Sequence, residues 1–397
     1  MTPIVAEAEP QQSRRFLLLY ALAAAGGAVA YVPFLTVLLP VRVSALAADA
    51  GVQVLAYAAF FGAVAASLAN IGFGWLSDRT RRRRIWVAVG LIASSALLIA
   101  MQGVGDARSL IAMIVLWQLA LNMMLAPLAA WAGDCVPDGQ KGLLGGLLAL
   151  APALGALSGA LVTWPGLADA DARLAMVAGL VAAMVLPALV FGRPRPMPQL
   201  MLARAVEDAD DSRAGHVVVR MWLARLLVQI AEAALFAFLM FWFQSIDRSV
   251  TDNDTAAVFS LVLCLSVPLA LLAGRWSDRS GRPILPLAIG AGIGALGLFG
   301  MASAETLTLS ITSYVVFGLA SSVFLALHAS QTLRVLPRPA TRGRDLGLFN
   351  LTNTVPSLVM PWLTLALVPV LGFDALFLVL GCLSLGACLI LLTLRTN

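Results

Sequence analysis

The side chains of this sequence that could do chemistry are a few charged and amide groups inside long apolar runs. Arg225, Gln229 and Glu232 stand at positions i, i+4 and i+7 of one run, which places them on one face of a helix. A charge inside a membrane-spanning helix costs on the order of 3 kcal/mol, so it normally faces a bundle interior and has a role. Apolar surroundings favour a neutral carboxyl group and a nearby arginine favours the carboxylate, so Glu232 is a candidate for proton coupling.

Each of these assignments has a structural alternative. Glu232 could make a static contact with Arg225 or an amide that only fixes helix packing. Arg225 lies near enough to one end of its run to extend into water, or it could bind an anion. His328, in a later run, could relay protons near neutral pH, although a lone helical histidine more often packs through hydrogen bonds.

Further polar groups lie at mid-depth in other apolar runs. They are Tyr31, Gln118, Asn122, Asn350, Asn353, Thr354 and Ser357. Converging amides and hydroxyls suit a hydroxyl-rich solute, because each solute hydroxyl needs a partner once its water is removed. The alternative is hydrogen bonding between helices, which such residues often provide in membrane bundles. We predict that these residues, with Arg225 and Gln229, line a solute path.

Composition restricts the class of protein. Apolar residues make up 60% of the 397 residues and charged residues only 12%, which excludes an ordinary soluble domain. The net charge of +5 does not indicate nucleic acid, because the arginines form short clusters between apolar runs.

The four cysteines form no C-x-x-C pair, so we expect inert thiols and no metal site. No HExxH, Gly-x-Ser-x-Gly or P-loop pattern indicates an enzyme or ATP-driven transport.

A window of about 20 apolar residues predicts twelve membrane spans. They cover residues 16–41, 52–76, 84–102, 109–133, 142–163, 173–191, 220–246, 255–276, 284–303, 306–333, 345–367 and 371–394. The predicted organisation is a cytoplasmic tail (1–15), a first six-helix bundle (16–191), a cytoplasmic linker (192–219) and a second six-helix bundle (220–394).

The positions of basic residues predict the orientation. With the N-terminus inside, twenty-two of the 26 Lys and Arg residues lie on or near the cytoplasmic side and four lie on the other. This asymmetry predicts a multi-pass protein of the cell (inner) membrane with both termini in the cytoplasm.

One stretch occurs twice, two hundred residues apart. The two copies read Gly74-Trp75-Leu76-Ser77-Asp78-Arg79 and Gly274-Arg275-Trp276-Ser277-Asp278-Arg279. Glycine lets two helices approach closely, and an aspartate with nearby arginines can form contacts that break and re-form. We therefore predict a gating contact at Gly74, Asp78, Arg79, Gly274, Asp278 and Arg279. The arginines that follow the first copy, Arg81 to Arg84, are interpreted as anchors of topology.

A Gly-x-x-Ser-Asp-Arg turn between apolar helices, present twice, resembles the loop signature of the major facilitator superfamily of membrane transporters. Two further segments resemble its sucrose-transporter-like and glycoside-pentoside-hexuronide branches, namely Ala126 to Gly142, with an Asp-x-x-Pro loop, and Arg342 to Pro356, with Gly-x-Asp-Leu-Gly before an Asn-x-x-Asn-Thr-x-Pro helix. The resemblance implies an all-α membrane protein of two six-helix half-bundles and a proton-coupled solute carrier.

These observations together predict a proton-coupled secondary transporter of a small polar organic solute, sugar-like, that works by alternating access as a symporter. Glu232 and His328 are the predicted coupling residues, with sodium as the alternative ion to the proton and no other cofactor. The main alternative is an exporter of drugs or metabolites by proton antiport, weakly favoured by Ala151-Pro152 in the fifth span. A non-transporting assembly factor or sensor is a distant third. The expected partners are the solute and the lipid bilayer, with the chain a monomer that binds no nucleic acid.

Overall fold

The fold is entirely helical, as predicted. The structure is a computed structural model that describes residues 11–46, 51–164, 166–200, 211–250, 252–336 and 339–394. Thirteen α-helices and no β-strand occur in these residues. Helices suit this composition, because each spanning segment must satisfy its backbone hydrogen bonds internally in a bilayer.

The first half of the chain contains the helices that precede the linker. They are α1 (Arg14–Pro33), α2 (Leu39–Leu46), α3 (Gly51–Thr80), α4 (Arg83–Ala100), α5 (Ala107–Cys135), α6 (Lys141–Leu148), α7 (Leu150–Val162) and α8 (Ala170–Phe191). Side chains that accept a hydrogen bond from the first turn begin three of them: Ser13 caps α1, Asp106 caps α5 and Asp169 caps α8.

The second half repeats the plan of the first. It contains α9 (Asp211–Ile246), α10 (Asp252–Ser280), α11 (Leu285–Ala302), α12 (Leu307–Val335) and α13 (Arg342–Leu392). Helices α4 and α11 have 18 residues each, and α5 and α12 have 29 each. Helices α3 and α10, which carry the two copies of the repeated stretch, have 30 and 29. The duplication seen in one loop therefore extends to the helices around it.

Two predicted spans are built from joined helices. The first continues from α1 through a wider π-helical turn, Phe34–Leu38, into α2, directly after Pro33, whose ring lacks an N–H group. Helix α13 contains the last two predicted spans, separated by Gly372 with φ 77°. This left-handed conformation is strained for residues with a side chain, so glycine is required where the chain turns back.

Ten helices in the described part of the chain are long and apolar enough to cross a membrane, or eleven if the bent helix α9 is counted. In α9 the segments Gly215–Leu235 and Phe238–Ile246 differ in direction by 57°. The segment 342–365 of α13 is helical but is not among these spans. The structure thus confirms a multi-pass helical protein, and the number twelve is only partly confirmed.

The linker differs from its predicted extent. Helix α9 begins at Asp211, so the last nine residues of the predicted linker, 211–219, are helical. The linker's first residues are fastened to the first half, because Arg195 donates its backbone N–H to the side chain of Gln12 at 2.8 Å. Gln12 in turn donates to the Cys135 carbonyl at 2.9 Å.

Apolar residues cover the outside as well as the inside. Ile92 is 70% exposed, Leu296 68% and Leu68 66%, each in the middle of a long helix. Exposed leucine and isoleucine at this density would be a liability in water and are ordinary against lipid. The cores are separate hydrophobic clusters, one essentially of the first half and two of the second.

Candidate functional site: two latches and a charged cavity

The first copy of the repeated stretch holds the start of a helix from the other half. Gly343 and Arg344, at the N-terminus of α13, donate their backbone N–H groups to the two carboxylate oxygens of Asp78, each at 2.9 Å. A methyl group added to Gly74 would lie 2.2 Å from the Gly343 carbonyl oxygen, so this approach requires glycine. We call Gly74, Asp78, Gly343 and Arg344 the first latch.

The second copy makes the same contact in the reverse direction. Gly142 and Leu143, in the first turn of α6, donate backbone N–H groups to Asp278, each at 2.8 Å. A methyl group on Gly274 would lie 2.1 Å from the Gly142 carbonyl oxygen. We call Gly142, Leu143, Gly274 and Asp278 the second latch. In both latches a carboxylate satisfies the unpaired N–H groups and the partial positive charge of a helix start.

Buried ion pairs surround the first latch. Arg83 pairs with Asp78 at 2.6 Å and with Asp134 at 2.9 Å. Arg342, from the second half, pairs with the other oxygen of Asp134 at 2.6 Å. Asp134 therefore joins the halves through two arginines, each with a side chain no more than 6% exposed.

The second latch has its own set of charges. Arg334 pairs with Asp278 at 2.8 Å and also donates to the Asp138 carbonyl in the first half. Lys141 pairs with Asp138 at 2.6 Å and donates to the Leu333 carbonyl across the interface at 3.0 Å. Both latches are thus reinforced by basic side chains that reach from one half to the other.

The arginines predicted for the gate are not the ones that contact the aspartates. Arg79 is exposed and lies over the ring of Trp75, 5.8 Å from its centroid, and Arg279 is exposed as well. Arg83, which was interpreted as a topology anchor, is the partner of Asp78. Asp134 and Arg342 lie in the two further segments that were singled out as motifs, Ala126 to Gly142 and Arg342 to Pro356.

The contacts between the halves concentrate at the latch face, the end of the bundle that carries the two latches. Deeper in the bundle, the hydroxyls of Ser67 in α3 and Thr354 in α13 lie 3.0 Å apart. Leu333 belongs to the hydrophobic cluster of the first half. The cluster around Trp242 and Phe377, towards the opposite face, contains only residues of the second half in the described part of the chain. The halves are joined at one face and packed separately towards the other.

Arg225 lies inside the second half with neutral partners. One terminal nitrogen lies 3.4 Å from Nδ1 of His328, and the other donates to Oδ1 of Asn353 at 3.2 Å. Asn353 donates to Asn350 at 2.8 Å. The structure therefore brings together four residues predicted for the site, from helices α9, α12 and α13.

His328 is fixed by its hydrogen bonds. It is fully buried, and Nε2 lies 3.0 Å from the Met221 carbonyl, which can only accept a hydrogen bond. Nε2 therefore carries the proton and Nδ1 is the acceptor for Arg225, while the hydroxyl of Thr332 donates to the backbone carbonyl of His328 at 2.8 Å. A second proton on Nδ1 would point at a guanidinium group. This geometry favours a role in positioning Arg225 over a role in relaying protons.

Glu232 lines a cavity of about 210 Å³ between α9, α10 and α12. Gln229, Tyr314 and Phe317 also line it, and the side-chain oxygen of Gln229 is buried without a hydrogen-bond partner. Glu232 lies close enough to Tyr314 and to Tyr31, in the first half, for its charge to act on both hydroxyls. In the described residues it makes no hydrogen bond or ion pair of its own.

Other predicted path residues serve packing in this structure. Asn122 accepts a hydrogen bond from Asn70 at 2.8 Å and donates to the Gln118 backbone carbonyl at 2.9 Å. All three amides are buried. Asn70 was not singled out, although it meets the same criterion of an amide inside an apolar run. These contacts correspond to the alternative of interhelical hydrogen bonding.

The geometry defines a multi-pass membrane protein of two repeated halves with a charged cavity. Comparisons with known proteins agree with this class. The family model described as Major Facilitator Superfamily matches residues 221–397. Two uncharacterized MFS-type transporters of Mycobacterium tuberculosis, from strains CDC 1551 / Oshkosh and H37Rv, are each 26% identical over 334 residues, which cover 79% of this chain and 71% of theirs.

Solved structures share the fold across almost the whole chain. The human organic anion transporter MFSD10 (TETRAN) superposes with TM-score 0.74 at 14% identity, covering 95% of this chain and 99% of that one. The proton:xylose symporter XylE bound to 6-bromo-6-deoxy-D-glucose gives 0.72 at 13%, covering 94% of each chain. A bacterial homologue of the iron transporter ferroportin in the outward-facing state gives 0.72 at 16%, covering 95% and 98%.

The fold is that of the major facilitator transporters, and these findings support the superfamily predicted from the repeated stretch. The resemblance to the sucrose-transporter-like and glycoside-pentoside-hexuronide branches stays a prediction.

Proposed function

We propose that this chain is a secondary active transporter that carries a small polar organic solute across the membrane by alternating access. The observation that carries the proposal is the pair of reciprocal latches, in which a carboxylate of each half holds a helix start of the other. Such contacts can break as a unit when one half rocks against the other, which opens one face of a central cavity as the other closes. The basic residues around the latch face support a cytoplasmic position for it in this proposal.

Glu232 is the proposed site of proton coupling. It is the acidic side chain that lines the cavity, and it has no hydrogen-bond or ion-pair partner among the described residues. The titratable or charged groups near it are Arg225, Tyr31 and Tyr314. A carboxyl group free of a fixed partner can exchange a proton with water when the cavity opens to either side. His328, the other predicted coupling residue, is better placed to hold Arg225.

The test is a transport assay in proteoliposomes with and without an imposed pH gradient. A panel of sugars, amino acids and organic ions is first screened for solutes that raise the melting temperature of the purified protein, because a ligand that binds only the folded state stabilises it. Wild type is expected to accumulate the selected solute against its gradient when the pH gradient is present, and the sign of the response separates uptake from efflux.

Glu232→Gln is expected to retain exchange of solute and to lose the response to the pH gradient. The matched control is Glu305→Gln, because Glu305 is an exposed acid in the loop between α11 and α12. If wild type and Glu232→Gln respond alike to the gradient, the coupling assignment is wrong. If no solute in the panel moves in wild type, the proposal of transport itself loses its support.

A further inference from the structure

Arg225 is a cation without a counter-ion. Its guanidinium group is held by His328 and Asn353, both neutral, and it forms no ion pair in the described part of the chain. A guanidinium group has five N–H donors in a planar fork, and only two terminal nitrogens are engaged here. The unused donors can bind the two oxygens of one carboxylate side by side, the geometry that arginine recognises best.

Glu232 is the complementary anion on the same helix face. Seven residues separate it from Arg225, which corresponds to about 10 Å along the axis of α9. Two opposite charges in one apolar bundle would normally pair, since each unpaired charge is costly there. In this structure they do not form an ion pair, and the cavity lies beside Glu232.

The space around Glu232 suits a cationic group. Tyr314 and Phe317 line the cavity, Phe317 being almost fully buried, and ring faces attract cations. The unpartnered side-chain oxygen of Gln229, four residues after Arg225 in sequence, offers a further acceptor inside the same cavity. Acceptors therefore gather around Glu232, and the unused N–H donors belong to Arg225.

We propose that Arg225 and Glu232 form the two ends of a binding site for a zwitterionic solute, with a carboxylate on Arg225 and an ammonium group on Glu232. The inference rests on the proposed transport function and names its solute class. It differs from the sugar-like solute expected from the amide residues, because Gln118 and Asn122 bond to each other and Asn122 also to Asn70. A solute with only a negative charge would be repelled by Glu232, and one with only a positive charge would be repelled by Arg225. A zwitterion can pair with both residues.

The test uses a series of ω-amino acids of increasing chain length: glycine, 4-aminobutyrate, 6-aminohexanoate and 8-aminooctanoate. Binding to the purified full-length protein is measured by thermal shift and by calorimetry. A site with separated charges is expected to bind one of the longer members best and glycine weakly. Hexanoate and hexylamine, which each lack one charge, are the matched ligands and are expected to bind roughly thirtyfold or more weakly than 6-aminohexanoate.

Two variants test which residue binds which charged group of the solute. Arg225→Gln is expected to remove the difference between 6-aminohexanoate and hexylamine, and Glu232→Gln the difference between 6-aminohexanoate and hexanoate. Arg220→Gln is the matched control, because Arg220 is an exposed arginine on the same helix whose side chain bonds to Thr393 at 3.3 Å. The Arg220→Gln variant is expected to bind each ω-amino acid of the series as wild type does.

The inference is overturned if hexanoate or hexylamine binds as well as the zwitterion, or if only a sugar of the panel binds. In both cases the transport proposal survives, provided that the bound solute moves in proteoliposomes. A wild-type protein that binds the zwitterion but does not move it would instead contradict the transport proposal and leave the site intact.

Discussion

Replacing Asp78 by asparagine removes one of the two latch carboxylates, each of which holds a helix start of the other half. The carboxylate receives two N–H groups from the other half, those of Gly343 and Arg344, and its side chain is 3% exposed. Its ion pair with Arg83 lies within the first half, so it persists whichever face is open. Of the contacts of Asp78 itself, the two hydrogen bonds from α13 are therefore the ones that break when the latch opens.

The expected magnitude follows from these bonds. A hydrogen bond to a charged group contributes about 1.5–3 kcal/mol, and a neutral one about 1 kcal/mol. Asparagine keeps one neutral acceptor for one N–H group and loses the second bond. The closed state should lose about 2–5 kcal/mol, which is a shift of roughly 30-fold to 5,000-fold towards the open latch.

The assay is the distance between spin labels on cysteines that replace Thr80 and Ser280, in a background without the four native cysteines. Both side chains are exposed, and each directly follows one copy of the repeated stretch. Wild type should give one short distance, and Asp78→Asn should add a longer one as the major population. Asp345→Asn is the control, because the side chain of Asp345 bonds to Arg344 and Thr341 of its own half and to no residue of the other half among those described. An unchanged distance in Asp78→Asn, or an equal change in Asp345→Asn, would refute the reasoning.

Two more predictions concern the second latch and the histidine. Gly274→Ala places a methyl group 2.1 Å from a backbone oxygen, so it should open the latch face in the same label assay, whereas Gly72→Ala, with open space around it, should not. His328→Gln should weaken binding of the transported solute several-fold by releasing Arg225, while the response to a pH gradient persists; a loss of that response would restore His328 as a coupling residue.

The parts of this fold that could be predicted from the sequence depend on local patterns. Apolar runs of spanning length predict helices because the bilayer leaves few alternatives. The glycines and aspartates of the repeated stretch could be assigned to a gate because both copies place them at the same spacing. Helix boundaries are harder to predict. Helix α9 begins at Asp211, before the predicted span at 220–246, because a helix can continue into water beyond its apolar segment.

The pairing of charges could not be predicted in the same way. Arg79 and Arg83 are equally plausible partners for Asp78 by spacing, and only the fold shows that Arg83 turns inwards to reach both Asp78 and Asp134. Likewise the meeting of Arg225 with His328 and Asn353 joins residues more than a hundred positions apart. Spacing along one helix predicts a shared face but does not indicate what lies opposite to it.

The measurement that tests the central claim most directly follows both faces of the bundle at once. One label pair reports on the latch face, at positions 80 and 280, and a second reports on the opposite face, at Val41 in α2 and Arg248 in the loop after α9, both exposed. If the two halves rock about a central cavity, the two label distances should change in opposite directions. When the solute or a change of pH lengthens the distance at one face, the distance at the other face should shorten. Distances that change together, or a latch pair that lengthens while the other pair stays fixed, would contradict this account.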